Sequence, residues 1–211
     1  MIFHDRYDAA MKLIPLLSKY KNEEGVVLAV PRGGVPIGYY IAMEYNFPLE
    51  ILLTKKIGHP GSSELAIGAV SLENEVIDDR HNVSDAYIEE QVRIIRKSLQ
   101  ERYKKFMGDR KPMDLENKIV IIVDDGIATG NTILAAIKMI RAKHPKKIVV
   151  AVPVAPPRTA RVIEKEVDDF VCISIPEEFY GVGQFYHDFS QVTDNEVTRL
   201  LKEANSRVGM A

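Results

Sequence analysis

The sequence predicts an α/β protein with a mostly parallel central sheet flanked by helices. Strand-like and helix-like segments alternate along the chain, the pattern of repeated βα units. Residues 119–123 (IVIIV) are uniformly apolar, which suits a strand covered on both faces rather than one with a wet side. That run ends in Asp124 and Asp125 and passes through a glycine-bearing loop toward a helical stretch. At 211 residues the chain is long enough to bury one substantial core, and residues 1–211 read as a single domain.

The elements follow in order. Residues 7–20 pattern as a helix that Pro15 must kink or split. Residues 26–30 form a short apolar strand, followed by PRGG and a helix over 35–45. Residues 49–54 make the next strand, ending in Lys55 and Lys56. An irregular stretch, 58–64 (GHPGSSE), precedes a β-hairpin over 66–77. Ser84 is placed to cap a long helix reaching 106, with Ile88, Val92, Ile95, Leu99 and Phe106 along one stripe. Such a stripe more often packs on its own sheet than on a second copy, so a homodimer through it is the lesser alternative. After strand 119–123, Thr132 is the expected cap of a helix over 133–142. Strand 147–152, helix 159–166 and strand 170–175 complete the alternation. Beyond Pro176 the chain turns aromatic and glycine-punctuated (EEFYGVGQFYHDF), and a final helix over 194–204 has Asp194 as its expected cap. The tail, 206–211, is expected to fray.

The loop after residue 123 carries the most specific chemistry. Gly126, Ile127, Ala128, Thr129, Gly130, Asn131 and Thr132 lead into a helix N-terminus, where backbone N–H groups and the helix dipole favour a phosphate. Asp124 and Asp125 beside it suit an uncharged hydroxylated group such as a ribose diol. A Walker loop is excluded because Asn131 stands where its lysine would be, and the glycine spacing excludes a dinucleotide fingerprint. A second candidate anion loop, Arg32, Gly33 and Gly34, lies at the end of another expected strand. There glycines admit close backbone approach and the guanidinium supplies a fork of donors. Lys55, Lys56, His59, Ser62, Ser63 and Glu64 bracket a segment that reads by itself as a solvated lysine pair and a mobile turn. Phe179, Tyr180, Phe185 and Tyr186 offer rings that either stack a heterocycle or fill the core.

The segment 119–132 resembles the 5-phosphoribosyl-1-pyrophosphate (PRPP) motif of type I phosphoribosyltransferases: apolar strand, acid pair, two mostly aliphatic residues, then a small-residue Thr-Gly-x-Thr loop. Gly126 departs from the aliphatic pattern. The PRGG segment is similar to the family's pyrophosphate loop, and by that resemblance a non-proline cis peptide is expected near residues 31–33. The same resemblance equally implies that the segment 55–64 closes over the site. The segment after Pro176 looks like the base-binding hood of 6-oxopurine enzymes, while Ala128 replaces the Asp that their phosphate loop carries. Loop and hood therefore point to different bases.

The resemblance, which covers residues 26–194, implies a hood built near 1–22 and 176–193. It implies transfer of ribose 5-phosphate from PRPP to a nucleobase, with Mg²⁺ held through substrate and water rather than by direct protein ligands. Asp124, Asp125, Arg32 and Lys56 would carry catalysis, residues 126–132 the 5-phosphate, and Arg32, Gly33 and Gly34 the pyrophosphate. Phe179, Tyr180 and Phe185 would bind the base. The alternative is a non-catalytic regulator that senses PRPP or a nucleotide; a phosphate-binding hydrolase lacks a recognisable metal-held nucleophile.

Composition narrows the classes further. A net charge of −2 gives no basic field for nucleic acid. One cysteine, Cys172 within an apolar run, excludes a disulfide framework and a cysteine-rich metal site. No run approaches membrane-spanning length, and residues 1–12 lack a signal-peptide core, so the expected location is cytoplasmic.

Overall fold

A computed structural model describes residues 2–78 and 83–208. Five parallel strands form the central sheet in the order β2-β1-β6-β7-β8: β1 Gly25–Ala29, β2 Leu49–Ile51, β6 Ile119–Val123, β7 Lys147–Val154 and β8 Asp169–Ser174. A three-stranded antiparallel sheet, β3 Thr54–His59, β4 Ser62–Ser71 and β5 Glu75–Ile77, stands beside it. The helices are α1 Arg6–Leu13, α2 Gly34–Tyr45, α3 Asp85–Met107, α4 Asn131–Arg141, α5 Pro157–Glu164 and α6 Asp194–Val208.

The uniform apolar run of β6 has a direct cause. Val120 and Ile122 face α4 and α5, while Ile119, Ile121 and Val123 face the opposite core layer with α1, α2, α3 and α6. Every residue of the strand is therefore buried, and no polar alternation survives. The α3 stripe is used up in the same layer: Val92, Ile95, Leu99 and Phe106 are core residues and Ile88 packs against them. Among the described residues no helix is long and apolar enough to cross a membrane.

The strand order reverses between β1 and β6, since β2 lies outside β1 and β7 outside β6. In an open parallel sheet, a crevice forms beyond the carboxyl ends at such a reversal. The PRGG loop follows β1 and the acid pair follows β6, so both candidate anion loops flank that crevice. Val30 donates to the carbonyl of Val123 at 2.8 Å and joins the two strand ends.

Several boundaries differ from expectation. Pro15 does split the first helix, converting residues Ile14–Tyr20 to a 3-10 turn. The expected strand 49–54 stops at Ile51, and Lys55 and Lys56 lie inside β3 rather than closing it. The stretch 58–64, expected to be irregular, is the tip of the β3–β4 hairpin, bent by register shifts at Ile57, Gly58 and His59. The expected 66–77 hairpin is the second turn of that sheet. Thr132 sits inside α4, whose N-cap is Gly130 in the left-handed region with no side-chain cap. Thr193 caps α6 by accepting from Glu196 N–H at 3.2 Å, because Asp194 is drawn toward Lys105 and Arg32. That last helix continues through Val208; the expected fraying of 209–211 lies outside the described residues.

Candidate functional site

The candidate phosphate loop begins under constraint. Ile127 is buried and donates its N–H to the carbonyl of Val154 at 2.9 Å, so that group is committed to the scaffold. Residues 128–132 differ: their N–H groups have no backbone partner among the described residues. Gly130, with φ +76°, adopts the left-handed turn that aims them together at the head of α4. Thr159, at the start of α5, donates its hydroxyl to the carbonyl of Ala128 at 2.7 Å and pins the loop from behind. The result is a concave row of donors at a helix N-terminus, suited to a phosphate.

Asp124 and Asp125 follow the last residue of β6. Burial and the neighbouring Asp125 charge push Asp124 well above the ordinary carboxylate range. Burial also raises Asp125, against the pull of the Arg6 guanidinium. Asp124 Oδ1 accepts the Asp125 N–H at 2.9 Å. Asp125 Oδ2 accepts from Arg6 Nε at 3.0 Å and Nη2 at 2.8 Å.

The PRGG loop packs directly on this pair. A Cβ at Gly33 would lie 1.9 Å from Asp125 Oδ2, and one at Gly34 would lie 2.5 Å from the Val123 carbonyl oxygen. Only glycine permits that approach. The peptide between Pro31 and Arg32 is cis, as the resemblance implied. Arg32 turns toward the start of α6, with Nη1 3.5 Å from Asp194 Oδ1, and remains about one-third exposed.

A cavity of about 700 Å³ lies between the antiparallel sheet and α4, lined by Lys56, Gly68, Asp78, Asn131, Thr132 and Lys138 among others. Lys56 thus shares a space with the head of the phosphate loop, whereas strand alternation sends Lys55 to the other face. His59 holds the hairpin turn, its Nδ1 accepting from Gly61 N–H at 3.0 Å. Ser62 is exposed there; the side chains of Ser63 and Glu64 lie outside the described residues.

The aromatic segment divides. Phe185 is buried and packs against Phe179 at 5.4 Å between ring centroids, while Tyr180 is 89% exposed. Phe3 and Tyr186 form an isolated parallel bridge, so residues at the two ends of the chain meet. The Tyr186 hydroxyl donates to the Asp125 carbonyl at 2.6 Å. Cys172 lies in β8, its thiol pushed up to about 11 by burial, which leaves it a poor nucleophile.

Sequence reasoning missed Arg6 and Thr159, and it offered Tyr186 as a ring without its hydroxyl's role on the Asp125 carbonyl. Each acts across a long separation in the chain. The one available hint was that an arginine in the first turn of a helix is unfavourably placed for the dipole and needs another reason to be there.

A parallel sheet whose crevice joins an acid pair to a row of N–H donors at a helix N-terminus defines an α/β protein with a candidate site for a hydroxylated anion. Residues 3–190 match the family described as "Phosphoribosyl transferase domain", and the chain belongs to that family. Two Mycobacterium tuberculosis proteins, each named "Putative phosphoribosyl transferase", are 36% identical over an alignment that covers 97% of this chain. The chain spans about half of their length, 47%. The crystal structure of TT1426 from Thermus thermophilus shares 34% identity and a TM-score of 0.85, covering 96% of this chain and 99% of that one. A hypoxanthine-guanine phosphoribosyltransferase from Bacillus anthracis shares the fold at 13% identity and a TM-score of 0.50, over 89% and 92% of the two chains.

Proposed function

We propose that this chain transfers the ribose 5-phosphate group of PRPP to a nucleobase and releases pyrophosphate. The observation that carries the reading is the row of unpartnered N–H groups at residues 128–132, set beside the acid pair and facing the PRGG loop across one crevice. The C1–O bond to pyrophosphate breaks, a C1–N bond forms, and the base nitrogen loses its proton to solvent. Residues 128–132 would hold the 5-phosphate. The acid pair would serve the ribose hydroxyls, and Gly33, Gly34, Arg32 and Lys56 the pyrophosphate. Charge grows on that leaving group as the bond breaks, so fixed donors and cations act most strongly there. The carboxylate oxygens of Asp124 and Asp125 suit Mg²⁺ held through water and substrate; the ion would neutralise pyrophosphate charge. Tyr180 is the exposed ring left to meet a base.

A second reading has its own support. Phe185 and Phe179 are occupied with each other and the core, so the stacking platform expected from the sequence is reduced to one ring. A PRPP- or nucleotide-sensing regulator needs no such platform. The deciding experiment is a nucleobase panel assayed for PRPP-dependent pyrophosphate release. Turnover with any base supports the transferase; tight PRPP binding with no turnover across the panel supports the regulator.

A further inference from the structure

The two carboxylates of the acid pair have unequal surroundings. Asp125 Oδ2 takes two donors from Arg6, and both side chains are nearly closed to solvent, at 13% and 12% exposure. The same oxygen fills the space where a side chain at Gly33 would begin, and the Asp125 carbonyl accepts the Tyr186 hydroxyl. Arg6 is itself held from the far end of the chain. Its Nη1 donates to the Ser190 carbonyl at 2.9 Å, and its guanidinium lies 4.2 Å above the Phe189 ring. Asp124 has no salt bridge among the described residues; its Oδ1 accepts the next backbone N–H, and its carboxyl also lies against that of Asp125.

We infer that Arg6 is a positioning residue for the sugar: it locks Asp125 to the PRGG loop and to residues 186–190, leaving Asp124 as the carboxylate that meets the ribose diol. A ribose hydroxyl could take Asp125 Oδ2 only by breaking a shielded ion pair and stranding its charges, which is costly. No cation pairs with Asp124 among the described residues, so a hydroxyl that meets it strands no charge. The clamp also explains why an arginine from the first helix reaches the end of β6. It joins α1, the PRGG loop and the aromatic segment around one ion pair, so the floor of the crevice and the segment beside it are set together. This inference rests on the sugar-phosphate reading of the site, and its test separates the two.

The full chain, its Asp124→Asn, Asp125→Asn, Arg6→Gln and Arg6→Lys variants, and the Arg6→Gln/Asp125→Asn double variant are titrated calorimetrically with ribose 5-phosphate and with inorganic phosphate. Asp124→Asn should lose tenfold or more in ribose 5-phosphate affinity and keep its phosphate affinity. Arg6→Gln should lose several-fold, Arg6→Lys should recover part of that, and the double variant should be little worse than either single one. Where Arg6→Gln does not fold, Arg6→Lys with Asp125→Asn supplies the same cycle. Losses that multiply independently, or an Asp125→Asn loss equal to that of Asp124→Asn with none at Arg6, overturn the inference alone. A parent chain that binds phosphate but neither ribose 5-phosphate nor PRPP overturns the sugar reading and the inference with it.

Discussion

Val182 occupies the space that a side chain at Gly126 would need: a Cβ there would stand 2.6 Å from Val182 Cγ1 and 2.9 Å from Val154 Cγ1. The glycine that departs from the family's aliphatic pattern is thus matched to the aromatic segment that folds over it. Gly126→Ala should destabilise the protein by about 1–3 kcal/mol through overpacking. Combining it with Val182→Ala should restore part of that loss, because the two sites share one contact. Urea unfolding of both variants measures it, and an unrelieved double variant would place the strain in the backbone instead.

Gly130→Val should remove phosphate binding while the fold survives. Its Cβ would lie 2.7 Å from Thr159 Cγ2, and φ +76° is a region that β-branched residues resist. The loop must then shift away from the hydroxyl that pins Ala128. Calorimetry with inorganic phosphate, alongside circular dichroism, reads both halves. Normal phosphate affinity in a folded variant would put the anion elsewhere.

What the sequence revealed depended on how local each cause was. The buried strand 119–123 was legible because helix layers cover both faces of the sheet and leave no polar residue in it. The glycines of PRGG and of the phosphate loop were legible because backbone geometry demands them. β3 was not, since Lys55 and Lys56 are both exposed and the bulged register hides the alternation of a one-sided strand. Asp194 is the better cap in isolation, and Lys105, 89 residues from it, together with Arg32 draws it away in favour of Thr193. Arg6 lies 119 residues from its carboxylate. No windowed pattern carries such a pairing, so the clamp could only be seen folded.

Asp124→Asn should stabilise the fold at neutral pH even as it harms sugar binding. The folded carboxyl titrates well above its unfolded value near 3.8, so below that value both states are protonated and Asp124 carries no penalty. As pH rises past 3.8 the unfolded chain ionises freely while the folded group resists, and the parent loses stability until the folded group has ionised as well. The amide that replaces this carboxyl never ionises. The gap in melting temperature between variant and parent should therefore open above about pH 4 and widen toward neutrality, a penalty of the kind functional sites often carry. A constant gap from about pH 4 to 7 would show that Asp124 is not strained by its charge.

Arg32→Ala should lower turnover far more than it weakens binding of a nucleoside monophosphate product. The product retains the 5-phosphate and ribose but has no pyrophosphate, the group that Arg32 is proposed to meet. Here Arg32 rests 3.5 Å from Asp194, a long contact on a partly exposed pair that leaves its other N–H groups available to a ligand at the PRGG loop. An ion pair of that kind contributes on the order of 0–1 kcal/mol, so the fold should tolerate the change. Losing a donor to developing charge costs about a hundredfold or more in rate. Pyrophosphate release with the best base and product affinity by calorimetry form the paired measurement. Equal losses in both would assign Arg32 to the 5-phosphate or to the scaffold, and the contact with Asp194 would then be its structural purpose.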